Sequence, residues 1–279
     1  MPQASPFRAF GAANLMDILS EIIASKRSGL ETSKRALPLE ELRATALSAR
    51  TNAKAHALRN ALTANAINII AEFKRRSPSK GMIRENADAA TLARSYESAG
   101  AAAISVLTEE NYFAGSLADL LAVRAQVSVP ILRKDFVFDE WQVHESAAAG
   151  ADALLLIVAA LDDETLARLL RLTEENLGMD ALVEVHSREE MERAVTQGAK
   201  LIGVNNRDLR TFHVSTETSL QLARFAPAGT ILVSESGLTP DEVPNLRAAG
   251  YSGFLIGETL MRAADPERQL RTFKGENTG

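Results

Sequence analysis

"IAEFKRRSPSKG", Ile70 to Gly81, changes character in mid-stretch. An apolar run, Ile67–Ala71, leads into it and reads as a buried strand, and Glu72, Lys74, Arg75, Arg76, Ser77, Pro78, Ser79 and Lys80 follow at once. Side chains alternate across a strand, so Glu72 and Lys74 fall on one face. A carboxylate and an ammonium at the C-terminal mouth of a strand suit acid–base chemistry on an anionic substrate. The plainer reading is a solvated strand end with a turn at Pro78 and Gly81. Recurrence of the same layout down the chain favours the chemical one.

Outward from this stretch the chain is rhythmic. Apolar runs stand at 67–73, 102–107, 129–132, 153–158, 181–185, 201–204, 230–233 and 253–256. Amphipathic stretches separate them, at 87–99, 116–126, 140–149, 163–175, 188–197, 216–225 and 241–249, and one more follows at 260–273. Strands alternating with helices imply parallel βαβ units. Eight of them imply a closed (β/α)8 barrel, the TIM-barrel form of the α/β class. "SAGAAAISV", "AAGADALLL", "TQGAKLIGV" and "AAGYSGFLI" repeat one layout, in which a helix end and a glycine precede an apolar strand. Glycine there supplies the left-handed cap that stops the helix. An open doubly wound sheet is the competing architecture, but no G-x-G-x-x-G follows any strand.

Before the first run lies a helical lead. Leu15, Ile18, Leu19, Ile22 and Ile23 form one apolar stripe from Asn14 onward, with Gly29 as the expected stop. Pro38 opens a second helix through "LEELRATALSAR", and a third piece covers 53–62. The first dozen residues carry no periodic signal. The expected organisation is a helical extension, 1–62, packed near the mouth of a barrel at 63–279, in a single domain.

The 279 residues, 46% of them hydrophobic, suffice for one large barrel core. A net charge of −5 and a pI of about 5.6 provide no global basic field for nucleic acid, so the run Lys74–Lys80 is read in its strand-end context. Without cysteine there is no disulfide, thiolate metal site or Cys nucleophile. No leader or spanning run is evident, and the expected compartment is the cytoplasm. His56 and His144 are placed on helices and His213 in a loop, and no cluster has metal-ligand spacing.

In a barrel the C-terminal strand ends form the active face. Those ends carry Glu72 and Lys74; Thr108, Glu109 and Phe113; Arg133, Lys134, Asp135 and Phe136; Glu184; Asn205 and Arg207; Glu235 and Ser236; and Glu258. The fourth run contributes no obvious catalytic group. The strand starts are mostly apolar or small, and this asymmetry is the strongest functional signal in the chain. Glu184 lies between Val183 and Val185, where a carboxylate needs a partner or a tuned pKa. A structural ion pair would also account for it. His186 shares its face and either orients it or is a satisfied structural histidine. Lys134 shares a face with Phe136, a pairing suited to a flat anionic ring. Ser236–Gly237 and Gly257–Glu258 end adjacent strands, where small residues let backbone N–H groups approach a phosphate.

Taken in order, "IAEFKRRSPSKG", "ISVLTEENYFAGS", "ILRKDFV", "LVEVHS", "IGVNNRDL", "VSESG" and "FLIGETLM" resemble the indole-3-glycerol phosphate synthase family of tryptophan biosynthesis. The lead "LMDILSEIIASKR" resembles that family's N-terminal extension. The resemblance implies a carboxy-lyase acting on 1-(2-carboxyphenylamino)-1-deoxy-D-ribulose 5-phosphate. The products would be indole-3-glycerol phosphate, carbon dioxide and water. It implies no metal or organic cofactor. It implies a catalytic set of Glu72, Lys74, Lys134, Glu184 and Asn205. Ser77, Phe113, Phe136, Arg207, Glu235 and Ser236 would contact substrate, and Gly237, Gly257 and Glu258 would hold its phosphate. In the corresponding chemistry Lys134 protonates the C2 oxygen at ring closure, and Lys74, Glu184 and Glu72 are candidates for the dehydration protons. Burial of Glu184 is expected to make it the stronger base. The expected partner is a small phosphorylated molecule, with no nucleic acid or membrane, and the expected state is a monomer, with a dimer as the alternative. Two rivals stand beside this reading. One is another phosphate-binding barrel enzyme, an isomerase or an aldolase forming an imine at Lys74 or Lys134. The other is a non-catalytic barrel scaffold.

Overall fold

The computed structural model describes residues 16–64, 66–208 and 211–276. The eight strands are β1 (Asn68–Phe73), β2 (Ala103–Leu107), β3 (Ile131–Lys134), β4 (Ala153–Ile157), β5 (Asp180–Val185), β6 (Leu201–Asn205), β7 (Ile231–Glu235) and β8 (Tyr251–Ile256). Each pairs in parallel with its sequence neighbours, and β8 closes on β1. β3 and β7 run further than their apolar runs. Lys134 pairs in register with Leu107, and Glu235 with Asn205. The ladder continues after hydrophobicity stops because the last inward layer is charged.

The barrel interior is layered as i, i+2 alternation requires. Ile70, Leu132, Leu182 and Val233 come from the odd-numbered strands and are buried in one cluster. Two residues further along the same strands stand Glu72, Lys134, Glu184 and Glu235. The apolar layer thus supports a charged layer directly above it at the mouth.

Outside the barrel run α4 (Ala89–Ser98), α5 (Leu117–Arg124), α6 (Glu140–Ala148), α7 (Asp163–Arg171), α8 (Arg188–Thr196), α9 (Glu217–Leu222) and α10 (Val243–Ala248). The final amphipathic stretch is two helices, α11 (Glu258–Arg262) and α12 (Pro266–Phe273), because Asp265 caps a new start ahead of Pro266. Gly100, Gly150, Gly198 and Gly250, the four repeat glycines, all take positive φ. They are the left-handed helix stops that the repeat calls for.

The lead is divided among three places. Its first helix, α1 (Met16–Ala36), passes through Gly29 without stopping. Gly29 has no neighbour within 4 Å of a built Cβ, so nothing forces a break there, and the helix ends just short of Pro38. The expected start at Asn14 and the unpatterned first dozen residues lie outside the described residues. α1 reaches the mouth, whereas α2 (Leu39–Arg50) lies on the flank against α6, with Leu30, Leu42 and Trp141 in one buried cluster. α3 (Ala57–Leu62) closes the opposite end, where Leu58 and Leu62 join the barrel interior. His56 stands at the N-cap of α3 rather than on a helix. Its Nδ1 lies 3.2 Å from the buried Asp180, which Arg59 also binds at 2.5 Å. Only α1 therefore packs where the whole lead was expected.

Candidate active site

A cavity of about 550 Å³ opens at the C-terminal ends of the strands. Its wall includes Glu72, Lys74, Ser77, Phe113, Lys134, Phe136, Glu184, Asn205, Arg207, Glu235, Ser236, Gly237, Gly257 and Glu258. All of the residues that the family resemblance implied thus meet in one space, whereas Thr108, Glu109 and Arg133 from the same strand ends do not line it. Three of the four basic residues of the opening stretch are consumed locally. Arg75 bonds Asp119 at 2.6 and 2.7 Å, Arg76 bonds the Asn111 and Tyr112 carbonyls, and Lys74 bonds Glu72 at 2.7 Å.

Alternation sorts the charges of β3. Arg133 turns outward to Glu145 at 2.7 Å and Asp135 at 3.2 Å, and Lys134 turns inward. The Lys134 ammonium lies 2.8 Å from Glu184 and 3.2 Å from Glu235. Burial lowers its pKa, but Glu184, Glu235 and Glu72 outweigh burial and raise it, so the ammonium stays charged. Burial likewise pushes the Glu184 carboxyl up. Lys134 and His186 override that and hold it far below the usual carboxylate range. The expectation that burial makes Glu184 a stronger base is therefore overturned, because its two cationic neighbours decide its basicity.

Glu235 goes the other way. Burial is the largest cause; Lys134 pulls the carboxyl back, Glu184 and Glu72 push it up, and it rests at about 7. One of its oxygens, Oε1, is buried without a hydrogen-bond partner among the described residues, as is Ser77 Oγ. Both residues line the cavity, and these two oxygens have hydrogen-bonding capacity left. A Cβ on Gly203 would overlap Glu235 Oε1, so the glycine inside β6 makes room for this carboxylate. Gly203 was not singled out in the sequence, although a glycine within an apolar strand signals close approach.

The aromatic wall is built from two strand ends. Phe113 and Phe136 stand with ring centroids 6.0 Å apart at 41°. Glu109 holds the loop carrying Phe113 by accepting the backbone N–H groups of Asn111, Tyr112 and Phe113. Asp135 holds β3's end to α1 through Lys26 at 2.6 Å. Ile18, Leu19 and Ile22 of α1 complete an apolar side that also includes Leu155 and Ile157 of β4. The stripe on α1 was legible, but its division between packing and cavity wall was not. β4 lacks catalytic groups because it supplies that wall.

At β7 and β8, Ser236 and Gly237 both take φ of +70°. A Cβ on Gly237 would overlap Val214, so this position is fixed by the neighbouring loop as well as by any ligand. A Cβ on Gly257 would stand 2.5 Å from Glu72 Oε1, which ties this strand end to the carboxylate of β1. The Glu258 carboxylate turns to Arg262 at 3.0 Å. Asn205 Oδ1 accepts the Arg207 N–H, and the Arg207 guanidinium bonds the Phe212 carbonyl. Among the described residues, no group of three His, Asp or Glu is arranged to hold a metal ion.

Solved structures with the same architecture include a thiamine phosphate pyrophosphorylase from Pyrococcus furiosus, with a TM-score of 0.57 at 16% identity, covering 78% of this chain and 96% of that one. A 3-hexulose-6-phosphate synthase gives 0.59 at 16% identity, covering 75% and 99%. At that identity they establish the fold alone. Closer in sequence is the indole-3-glycerol phosphate synthase of Carboxydothermus hydrogenoformans, 47% identical over 261 residues, 91% of this chain and 98% of that protein. The enzyme of the same name from Micrococcus luteus is 49% identical over 262 residues, 93% and 97% of the two chains. The family model for indole-3-glycerol phosphate synthase matches residues 19–273, from α1 through the last helix, and with relatives this similar along nearly their whole length the chain belongs to that family.

Proposed function

We infer that the cavity at the barrel mouth is where this chain performs its family's reaction. The chain is a carboxy-lyase of tryptophan biosynthesis, acting on a phosphorylated small molecule. The substrate is 1-(2-carboxyphenylamino)-1-deoxy-D-ribulose 5-phosphate. Its ring closes onto C2, carbon dioxide leaves, and loss of water gives indole-3-glycerol phosphate. The observation that carries the assignment of the site is Lys134, a charged amine held between Glu184 and Glu235 in a largely apolar space.

Phe113 and Phe136 press the anthranilate ring toward the carbonyl, with the α1 wall behind it, a positioning effect. Lys134 gives its proton to the C2 oxygen as that oxygen becomes an alkoxide. An alkoxide is more basic than an amine, so the transfer runs downhill even from a raised pKa. Carbon dioxide departs once the ring carries positive charge. The hydroxyl then leaves as water on a proton from Lys74, Glu72 beside it takes the proton lost from the ring system, and Glu184 is the counter-charge that keeps Lys134 in place. Glu235, near half-protonation at neutral pH, contacts a substrate hydroxyl and can pass a proton. Asn205, Ser77, Arg207 and Ser236 orient the sugar chain, and the turns at Gly237, Gly257 and Glu258 hold the phosphate.

Residues 1–62 serve as the extension and 63–279 as the catalytic barrel of one domain. The enzyme works in the cytoplasm as a monomer, without nucleic acid. The exposed large apolar side chains among the described residues, Leu47, Met82, Leu121 and Leu220, sit singly on separate elements, which supports the monomer. No helix of the described residues is long and apolar enough to cross a membrane. The test is to mix the protein with the substrate and follow indole fluorescence, with inorganic phosphate as a competitor. Turnover inhibited competitively by phosphate is expected. An imine trapped by borohydride would move the chemistry to the aldolase class.

A further inference from the structure

Immediately after β5 the chain places His186 on the same side as Glu184, and the next residue, Ser187, is the N-cap of α8. Glu190, in the first turn of α8, is fixed by the Ser187 hydroxyl, which accepts its backbone N–H at 3.2 Å. Glu190 Oε2 accepts the His186 backbone N–H at 2.7 Å and lies 3.2 Å from the ring Nδ1. With Nδ1 committed to Glu190, the other ring nitrogen is aimed inward. It is buried, and its one charged neighbour in ion-pair range among the described residues is Glu184 Oε1, at 3.3 Å but off the line of a formed hydrogen bond. Glu184 Oε2, the opposite oxygen, receives Lys134 at 2.8 Å. A row of alternating groups therefore runs from α8 to the barrel axis: Glu190, His186, Glu184, Lys134, Glu235.

We propose that His186 is a positioning residue for the ring-closing reaction, gripped by Glu190 so that its Nε2–H fixes the direction of the Glu184 carboxylate and, through it, Lys134. This rests on the placement of the reaction at the barrel mouth. A carboxylate bound by a lysine alone can swing with the long lysine stem. One that also faces a fixed cation 3.3 Å from its second oxygen loses that attraction if it turns, and rigid support of this kind is what a reacting group needs. The titratable groups facing the ring are Glu184 from β5 and Glu190 from α8. Burial lowers the imidazole pKa, but these two carboxylates outweigh it and bring it to about 10. The ring is thus a cation throughout the working range and contributes no titration of its own there.

The experiment compares the full-length parent with His186→Ala, His186→Gln and Glu190→Gln, measuring kcat, KM and the pH profile of kcat by indole fluorescence. His186→Ala should lower kcat about ten- to a hundredfold with KM changed by less than about threefold, the signature of a misplaced group. Its acid limb should move to higher pH, because removing a cation beside Glu184 raises that carboxyl. His186→Gln, which retains a side-chain N–H but no charge, should recover most of kcat and leave the acid limb shifted. Glu190→Gln, which loosens the grip on the ring but keeps the cation beside Glu184, should lower kcat by less and leave the acid limb in place, and a parent-like kcat there overturns the proposal if the alanine variant does not fold. Parent-like kcat and an unmoved acid limb in the alanine variant would overturn the proposal. So would a glutamine variant as slow as alanine with a parent-like acid limb, which would leave the ring a packing role. A parent protein with no turnover would instead sink the placement of the reaction.

Discussion

Lys134 has two carboxylates within 3.2 Å and a third in the same layer, and the electrostatics of the mouth are set around it. Replacing it with alanine should cost about two to four orders of magnitude in kcat if proton transfer is its role. Arginine should restore little of the loss, since a guanidinium keeps the charge but does not release a proton near neutrality. Near-parental activity in Lys134→Arg would reduce Lys134 to electrostatic binding and move the donor to Lys74. Glu235 gives a second prediction. Its carboxyl rises from the ordinary 4.5 to about 7, so the folded protein binds this proton more tightly than the unfolded chain does. Stability from this group is present below about 4.5 and is lost as pH rises through 7, by an amount on the order of a few kcal/mol. Glu235→Gln should therefore melt higher than the parent at about pH 8, and the difference should shrink toward about pH 5. An equal difference at both pH values would show that Glu235 is not held protonated. The residues themselves were legible as charged strand ends. Their protonation was not, because it depends on which carboxylate meets which cation: Glu184 gained two, and Glu235 shares one.

Among the elements, α1 is the one whose removal separates covering from folding. Ile18, Leu19 and Ile22 face the cavity, while Lys26 holds Asp135 at 2.6 Å between Lys134 and Phe136. Deleting residues 1–36 should raise KM or lower kcat and leave the barrel's helical circular dichroism intact. The sole tryptophan, Trp141, is buried against Leu30 and Leu42, so its emission should shift red as α1 leaves. Unchanged kinetics with shifted emission would remove the covering role. A cut at residue 45 would be less clean, since it would halve α2, whose Leu42 and Ala46 are buried. The helices were legible from their stripes and the repeat glycines. What they pack against was less so, because an apolar stripe looks the same whether it meets a helix flank, the barrel bottom or a ligand. Gly29 illustrates the same limit: glycine ends a helix where the chain must turn left-handed, and here no turn is required.

Across the whole molecule the two ends of the barrel do different work. The mouth concentrates charge, whereas α3 plugs the other end with Leu58 and Leu62, both fully buried. Leu58→Ala should destabilise by about 2–5 kcal/mol and leave kcat near the parental value at a temperature where both proteins are folded. A large fall in kcat at constant fold would mean that the two ends are coupled. The eight-fold rhythm made the architecture readable, since apolar runs and helices recur at barrel spacing. The charged layer formed by β1, β3, β5 and β7 was not visible as a layer, because its members lie 50 to 62 residues apart and meet only on closure. The most direct measurement uses substrate labelled in its carboxyl carbon, with labelled carbon dioxide and indole-3-glycerol phosphate counted in the same reaction. One carbon dioxide released per indole-3-glycerol phosphate formed, abolished together in Lys134→Ala, is the expected result. Indole-3-glycerol phosphate formation without label release, or label release that persists in Lys134→Ala, would contradict the placement of ring closure and decarboxylation at this barrel mouth.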